Sequence, residues 1–224
     1  MKHDLEETLR EAHLAFLGRL LSAVTHELKN HLAIISESSG LMGDLLEMGK
    51  LKEEDTSAKF LKIIRCIAER IDTANTQVKY LNSFGHRMDT PAAVFNVNSV
   101  LLEEAALLKK FAGLTGADIV MDLQNDIPSV KSKPALLQFL VFILVNAFLR
   151  DAKKGDHFRF VSRKENKHVV IIFEEQRAVG KDEGKETAAR DVELIPYIVE
   201  KLEADLEKEL RNTGFTYRLI MAAT

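Results

Sequence analysis

Six consecutive residues, His26-Glu27-Leu28-Lys29-Asn30-His31, hold the side chains best suited to chemistry. A neutral imidazole carries a ring lone pair at physiological pH and can attack phosphorus. A carboxylate beside it can accept the ring's other proton and orient the ring. Asn30 stands four residues after His26 and shares its face of a helix. From there its amide can position a water against a phosphorylated partner. On spacing alone an ordinary polar helix face also accounts for this trio, because His-Glu pairs are common.

The element that must position these residues is a long helix. Residues 6 to 88 contain no proline, and Leu14, Leu17, Leu21, Val24, Leu28, His31, Ile35, Ser38 and Met42 step by three and four. With Leu21, Val24 and Leu28 on the seam, His26 falls on the solvent side and Glu27 beside it. His31 falls on the seam itself, where a polar residue of the bundle core is expected. Gly43 and Gly49 weaken the end of the helix, and Lys50 to Asp55 reads as a polar turn. Phe60, Ile64, Ile67, Ile71, Ala74, Val78 and Leu81 then repeat the stepping in a second helix that stops near Gly85. Two such helices make an antiparallel hairpin, and a lone hairpin cannot cover both apolar stripes. Pairing two hairpins into a dimeric four-helix bundle solves that burial problem, so a homodimer is expected. Covering of the exposed stripe by the second half of the chain is the competing solution.

Past Pro91 the pattern changes to α/β. Phe95 to Val97 reads as a short strand, Asn98 as a cap and Ser99 to Phe111 as a helix. Asp118 to Leu123 alternates as a strand. Pro134 opens an apolar helix running to about Asp151. His157 to Arg163 and His168 to Glu174 are strands, Glu175 to Arg190 a polar loop, Asp191 to Leu210 a helix and Phe215 to Ala222 a closing strand. The chain therefore reads as α+β in two domains: a helical hairpin over residues 1–90 and an α/β sandwich over residues 91–224.

Composition narrows the function classes. Across 224 residues, 31 basic side chains face 34 acidic ones, for a net charge of -3. That balance offers no basic face for nucleic acid. Cys66 is the one cysteine, which excludes an intrachain disulfide and a multi-cysteine zinc site; no metal site is expected, and Cys66 reads as a small core residue. The N-terminus shows no signal peptide, and the apolar window Leu136 to Leu149 is shorter than a membrane span and broken by Gln138 and Asn146. A cytoplasmic protein with no membrane partner is the expectation.

The stretch from Gly18 to Ala33, centred on His26-Glu27-Leu28-Lys29-Asn30-His31, resembles the H-box of two-component sensor histidine kinases. The resemblance implies His26 as phosphoacceptor, Glu27 as its acid/base partner and Asn30 as the residue that helps dephosphorylate a response regulator. The family's proline is His31 here, so the helix is expected to run straighter. Pro128 to Ala147 resembles the N-box of the family's ATP-binding domain. Asn146 matches its magnesium-holding asparagine, while Phe142 replaces the earlier one. After the strand ending at Phe173 the family places Asp-x-Gly-x-Gly; this chain has Glu174-Glu175-Gln176-Arg177-Ala178. Glu174 stands for the acid, and Gln176 and Ala178 fill the glycine positions. The lid box corresponds to Glu186 to Leu194, without glycine. Only Thr213-Gly214-Phe215 echoes the family's terminal motif.

Side chains at the glycine positions put bulk where a nucleotide would lie. The expectation is a histidine-kinase-type sandwich that keeps its fold, has lost its ligand and needs no cofactor. Asn146 and Glu174 bind nucleotide only if that function survives. The resulting reading is a histidine phosphotransferase, or kinase-like pseudoenzyme, of a bacterial phosphorelay. It exchanges phosphoryl groups between His26 and the aspartate of a response-regulator receiver domain. An ATP-dependent kinase with divergent boxes and a non-catalytic dimeric scaffold that binds a regulator are the other readings.

Overall fold

The computed structural model describes residues 2–48, 54–178, 192–211 and 214–224. The expected turn over residues 50–53, the lid stretch 186–191 and Thr213 lie outside the described residues. By compactness the chain divides into two units, residues 18–82 and residues 1–17 together with 83–224. Residues 1–17 and 83–90, which the sequence reading groups with the hairpin, thus count with the second unit.

Two long helices form the first unit and extend beyond it: α1 (Lys2–Glu47) and α2 (Glu54–Met88). A hydrogen bond links Gln77 of α2 to Glu27 of α1. At 1.5 Å per residue, Glu27 lies about 30 Å from the end of α1 and Gln77 about 35 Å from the start of α2. Near-equal distances from the connection are what antiparallel helices require. Along α1 Val24 is buried, while Leu28 and His31 are half-buried. Cys66 is half-buried, not the core residue expected.

The second unit is a layered α/β structure. β1 (Ala93–Phe95) pairs with β3 (Val130–Ser132) in a small two-stranded sheet. The main sheet has the order β2-β4-β5-β7-β6, with β2 (Asp118–Leu123) parallel to β4 (His157–Glu165). The remaining neighbours, β5 (His168–Gln176), β7 (Gly214–Ala222) and β6 (Asp205–Arg211), run antiparallel. The helix α4 (Pro134–Asp151) lies against the sheet through Phe148, whose ring meets Phe158 at 5.2 Å. Helices α3 (Val97–Thr115) and α5 (Ile195–Leu202) pack on α4. By length and composition α4 could span a membrane; here most of its side chains are buried in the core.

Three local expectations change. Asn96, not Asn98, caps α3, its side chain accepting the N–H of Asn98 at 2.8 Å. Asn98 instead bridges elements: it donates to the Gln124 carbonyl and accepts from the Ser162 hydroxyl. The helix expected over residues 191–210 stops at Glu203, in left-handed conformation at φ 55°. Residues 205–211 become the edge strand β6, because pairing with β7 outweighs the helix propensity of Glu, Lys and Leu.

An aromatic cluster ties the first turns of α1 into this unit. Phe16 is fully enclosed, with ring centroids 4.1 Å from Phe142, 5.8 Å from Phe139 and 5.5 Å from Phe84. His13 stacks on Phe139 at 4.7 Å, and burial lowers its pKa.

Candidate functional site

In the helical unit, His26 and Asn30 are exposed and Glu27 is half-buried. One helical turn brings the Asn30 Nδ2 to 3.3 Å from the His26 Nδ1. Glu27, one position on, is rotated about 100° around the helix and faces a different way. Its Oε2 accepts the Nε2–H of Gln77 at 2.6 Å. The trio is thus split between solvent and the second helix: imidazole and amide outside, carboxylate turned toward α2. Gln77 was invisible to sequence reasoning because fifty positions separate it from Glu27. His31 is half-buried, with its Nδ1 enclosed and without a hydrogen-bond partner.

In the α/β unit the structure does not bring Asn146 and Glu174 together. Asn146 is half-buried on α4. Strand register pairs Glu174 with Arg159, and Glu175 with Phe158. Since Phe158 faces α4, Glu174 points to the opposite side of the sheet. There it accepts from Arg159 at 3.3 Å and from Gln176 at 3.4 Å, and Arg159 also pairs with Asp122.

The acid on the helix side is Glu175, which sequence reasoning passed over. The alternation Val169, Ile171, Phe173 inward was the available signal, since position 175 continues it. Glu175 is buried, and its Oε2 accepts from the Phe215 N–H at 3.4 Å and from Arg177 at 3.5 Å. Burial pushes its pKa up, against the opposing pull of the Arg177 guanidinium. Arg177 lies 4.6 Å over the Phe148 ring, donates to the Phe148 carbonyl and sits 3.7 Å from Asp156. Asp156, fully buried, also accepts the N–H groups of Lys153 and Ala178. Gly214, at φ 131°, closes this cluster; a Cβ there would stand 2.7 Å from the Glu175 Cβ. Among the described residues no group of three or more His, Cys, Asp or Glu is arranged to hold a metal ion.

The long N-terminal helices followed by a mixed sheet match the architecture of histidine kinases, a helical phosphoacceptor module followed by an ATPase-like module. The solved histidine kinase AdeS of Acinetobacter baumannii superposes with a TM-score of 0.50 at 11% identity, covering 89% of this chain and 98% of that one. The nucleotide-free catalytic domain of the histidine kinase ThkA gives 0.51 at 15% identity over 59% of this chain and 97% of its own. ThkA crystallised in complex with the response regulator protein TrrA gives 0.50 at 17% identity, covering 100% of this chain and 66% of that chain.

In sequence the chain is 24% identical over 190 residues to sporulation kinase E of Bacillus subtilis, spanning 82% of this chain and 24% of that protein. It is 25% identical over 144 residues to the signal transduction histidine-protein kinase AtoS of Escherichia coli, spanning 63% of this chain and 22% of that protein. The chain therefore spans about a quarter of the length of these curated relatives. No family model matches it. Its sequence relatives are a sporulation kinase and a signal transduction histidine-protein kinase, and its structural neighbours are histidine kinases, consistent with the two-component sensor kinase family.

Proposed function

We propose that the chain is a histidine phosphotransferase, or kinase-like pseudoenzyme, of a bacterial two-component phosphorelay. It passes phosphoryl groups between His26 and receiver-domain aspartates without using ATP. A ring nitrogen of His26 attacks the phosphorus of the aspartyl phosphate. The P–N bond forms, the P–O bond to the aspartate breaks and a carboxylate leaves. The proton of the other ring nitrogen passes to a base, for which Glu27 is the nearest carboxylate in sequence. The rest of catalysis is positioning, since the acyl phosphate arrives already activated.

The observation that carries the ATP-free reading is the Arg177 clasp. A nucleotide at the end of β5 needs backbone open to close approach. Instead Arg177 spans from the Phe148 ring to Glu175 and Asp156, and Phe215 caps Glu175. Phe142, at the N-box position of an asparagine, is buried against Phe16. These contacts support the ATP-free reading.

The helical unit works as a homodimer in this reading. Ile64, Ile71 and Val78 of α2 repeat every seven residues and are each more than 40% exposed, with Leu21 of α1 also exposed. Such a stripe calls for a second copy.

The experiment is phosphoryl exchange between the full chain and a panel of phosphorylated receiver domains. Label should appear on the protein, and His26→Ala should abolish it; transfer persisting in that variant sinks the assignment. Regulator binding without label would point to a scaffold. The ATP-dependent reading is favoured by the retained Asn146 and by the kinase relatives. Calorimetry with a nonhydrolysable ATP analogue decides between them: micromolar binding lost in Asn146→Ala would support a kinase.

A further inference from the structure

We infer that Gln77 is a positioning residue of the phosphoacceptor site, holding the Glu27 carboxylate in place from the second helix. The inference rests on His26 as the phosphoacceptor. Gln77 donates its Nε2–H to the Glu27 Oε2 at 2.6 Å, across two helices. Its own Oε1 is enclosed and has no hydrogen-bond partner. The orientation of the amide is therefore dictated by the carboxylate. Turned over, it would set a carbonyl oxygen against a carboxylate oxygen, two acceptors face to face.

An amide with an enclosed, unpartnered oxygen carries a desolvation penalty that an aliphatic side chain would avoid. Neighbouring positions on α2, Ala74, Val78 and Leu81, are aliphatic. What Gln77 supplies, and they cannot, is the hydrogen bond to Glu27. A glutamate on a helix surface samples many rotamers. The amide confines Glu27 to one region and engages Oε2 on the α2 side, leaving Oε1 as the carboxylate oxygen that can take up a proton. Being uncharged, the amide does this without cancelling the negative charge that makes Glu27 a base, as a lysine or arginine there would.

The test uses phosphoramidate, a small donor that needs no partner protein. In its reaction the imidazole P–N bond forms as the donor's own P–N bond breaks and ammonia leaves. The full chain is treated with phosphoramidate, and phosphohistidine at position 26 is followed by mass spectrometry and phosphorus NMR. Gln77→Met keeps the shape and removes the donor. It should lower the limiting rate about tenfold, without changing the half-saturating donor concentration. Gln77→Glu, which presents an acceptor to an acceptor, should fall at least as far. In a Glu27→Gln background, Gln77→Met should add nothing, because the effect runs through Glu27. Circular dichroism checks that each variant is folded.

A wild-type rate in folded Gln77→Met, or an undiminished effect of that substitution in the Glu27→Gln background, overturns the inference. Label on His26 that no receiver domain accepts would defeat the phosphotransfer reading, while the rate comparison would still decide the role of Gln77. Absence of label on the wild-type chain overturns both.

Discussion

The Asn30 Nδ2 lies 3.3 Å from the His26 Nδ1, one helical turn away on the exposed face. A neutral imidazole carries one proton, so whatever engages Nδ1 decides the state of Nε2. An amide N–H donated to Nδ1 leaves the proton on Nε2. The amide oxygen, accepting Nδ1–H, leaves a lone pair on Nε2. A half-turn of the terminal torsion of Asn30 exchanges these two states.

The first prediction follows from that exchange. Asn30→Ala should slow phosphoryl uptake by His26 about tenfold, equivalent to about 1.4 kcal/mol of barrier. Asn30→Asp offers only an acceptor and favours the Nδ1–H tautomer, so it should take up phosphoryl groups faster than Asn30→Ala. Rapid-quench measurement with a phosphorylated receiver domain checks the order; equal rates in the two variants would remove Asn30 from tautomer control.

Glu104 supplies a pH dependence. It is fully buried on α3, and Gln138 of α4, also fully buried, lies alongside it short of full hydrogen-bonding geometry. Burial raises its pKa from 4.5 to about 8, opposed by the charge of Arg87. Between those values the folded state keeps a proton that the unfolded chain has lost. Stability therefore falls as pH rises from about 4.5 to about 8. Glu104→Gln removes this titration and should stabilise the protein by about 3 kcal/mol at pH 7. Urea unfolding at pH 5 and pH 8 should show a gap between wild type and variant that widens with pH; a constant gap would refute it.

Phe142 tests whether an amide at the N-box position changes nucleotide binding by the ATPase-like unit. Phe142→Asn would restore an amide at the N-box position but remove a ring packed 4.1 Å from Phe16. The cavity and the buried amide together should cost about 4 kcal/mol. Thermal unfolding should show the loss, and calorimetry with an ATP analogue no gain of binding, because the Arg177 clasp is untouched. Recovered nucleotide binding would mean that Phe142, not Arg177, blocks the site.

What the sequence conveyed was whatever depends on short spacing. His26 and Asn30 share a face because 3.6 residues make a turn, and the seam residues announce two long helices. The register of β5 was equally legible, yet Glu174 drew attention by its place in a motif while alternation pointed to Glu175. Gln77 was not legible, because its meaning lies in a contact fifty positions away. Residues 205–211 look helical by composition and become strand only through β7. Nor could spacing reveal that residues 1–17 belong with the sandwich, since that depends on Phe16 meeting Phe84, Phe139 and Phe142.

The exposed stripe of α2 gives the last prediction. Ile71 is 44% exposed and stands between Ile64 and Val78, which are exposed to a similar degree. Burying such a side chain at a helical interface contributes about 1.5 to 3 kcal/mol in each copy. A charge placed there must be desolvated beside its symmetry mate, which costs more than the methyl groups supplied. Ile71→Lys should therefore convert a dimer into a monomer in sedimentation velocity. Ile71 lies on α2, apart from His26, so the monomer should keep its helical circular dichroism and phosphoramidate labelling of His26. A wild-type chain that sediments as a monomer, or a variant that still sediments as a dimer, would show that this stripe is not what joins two copies.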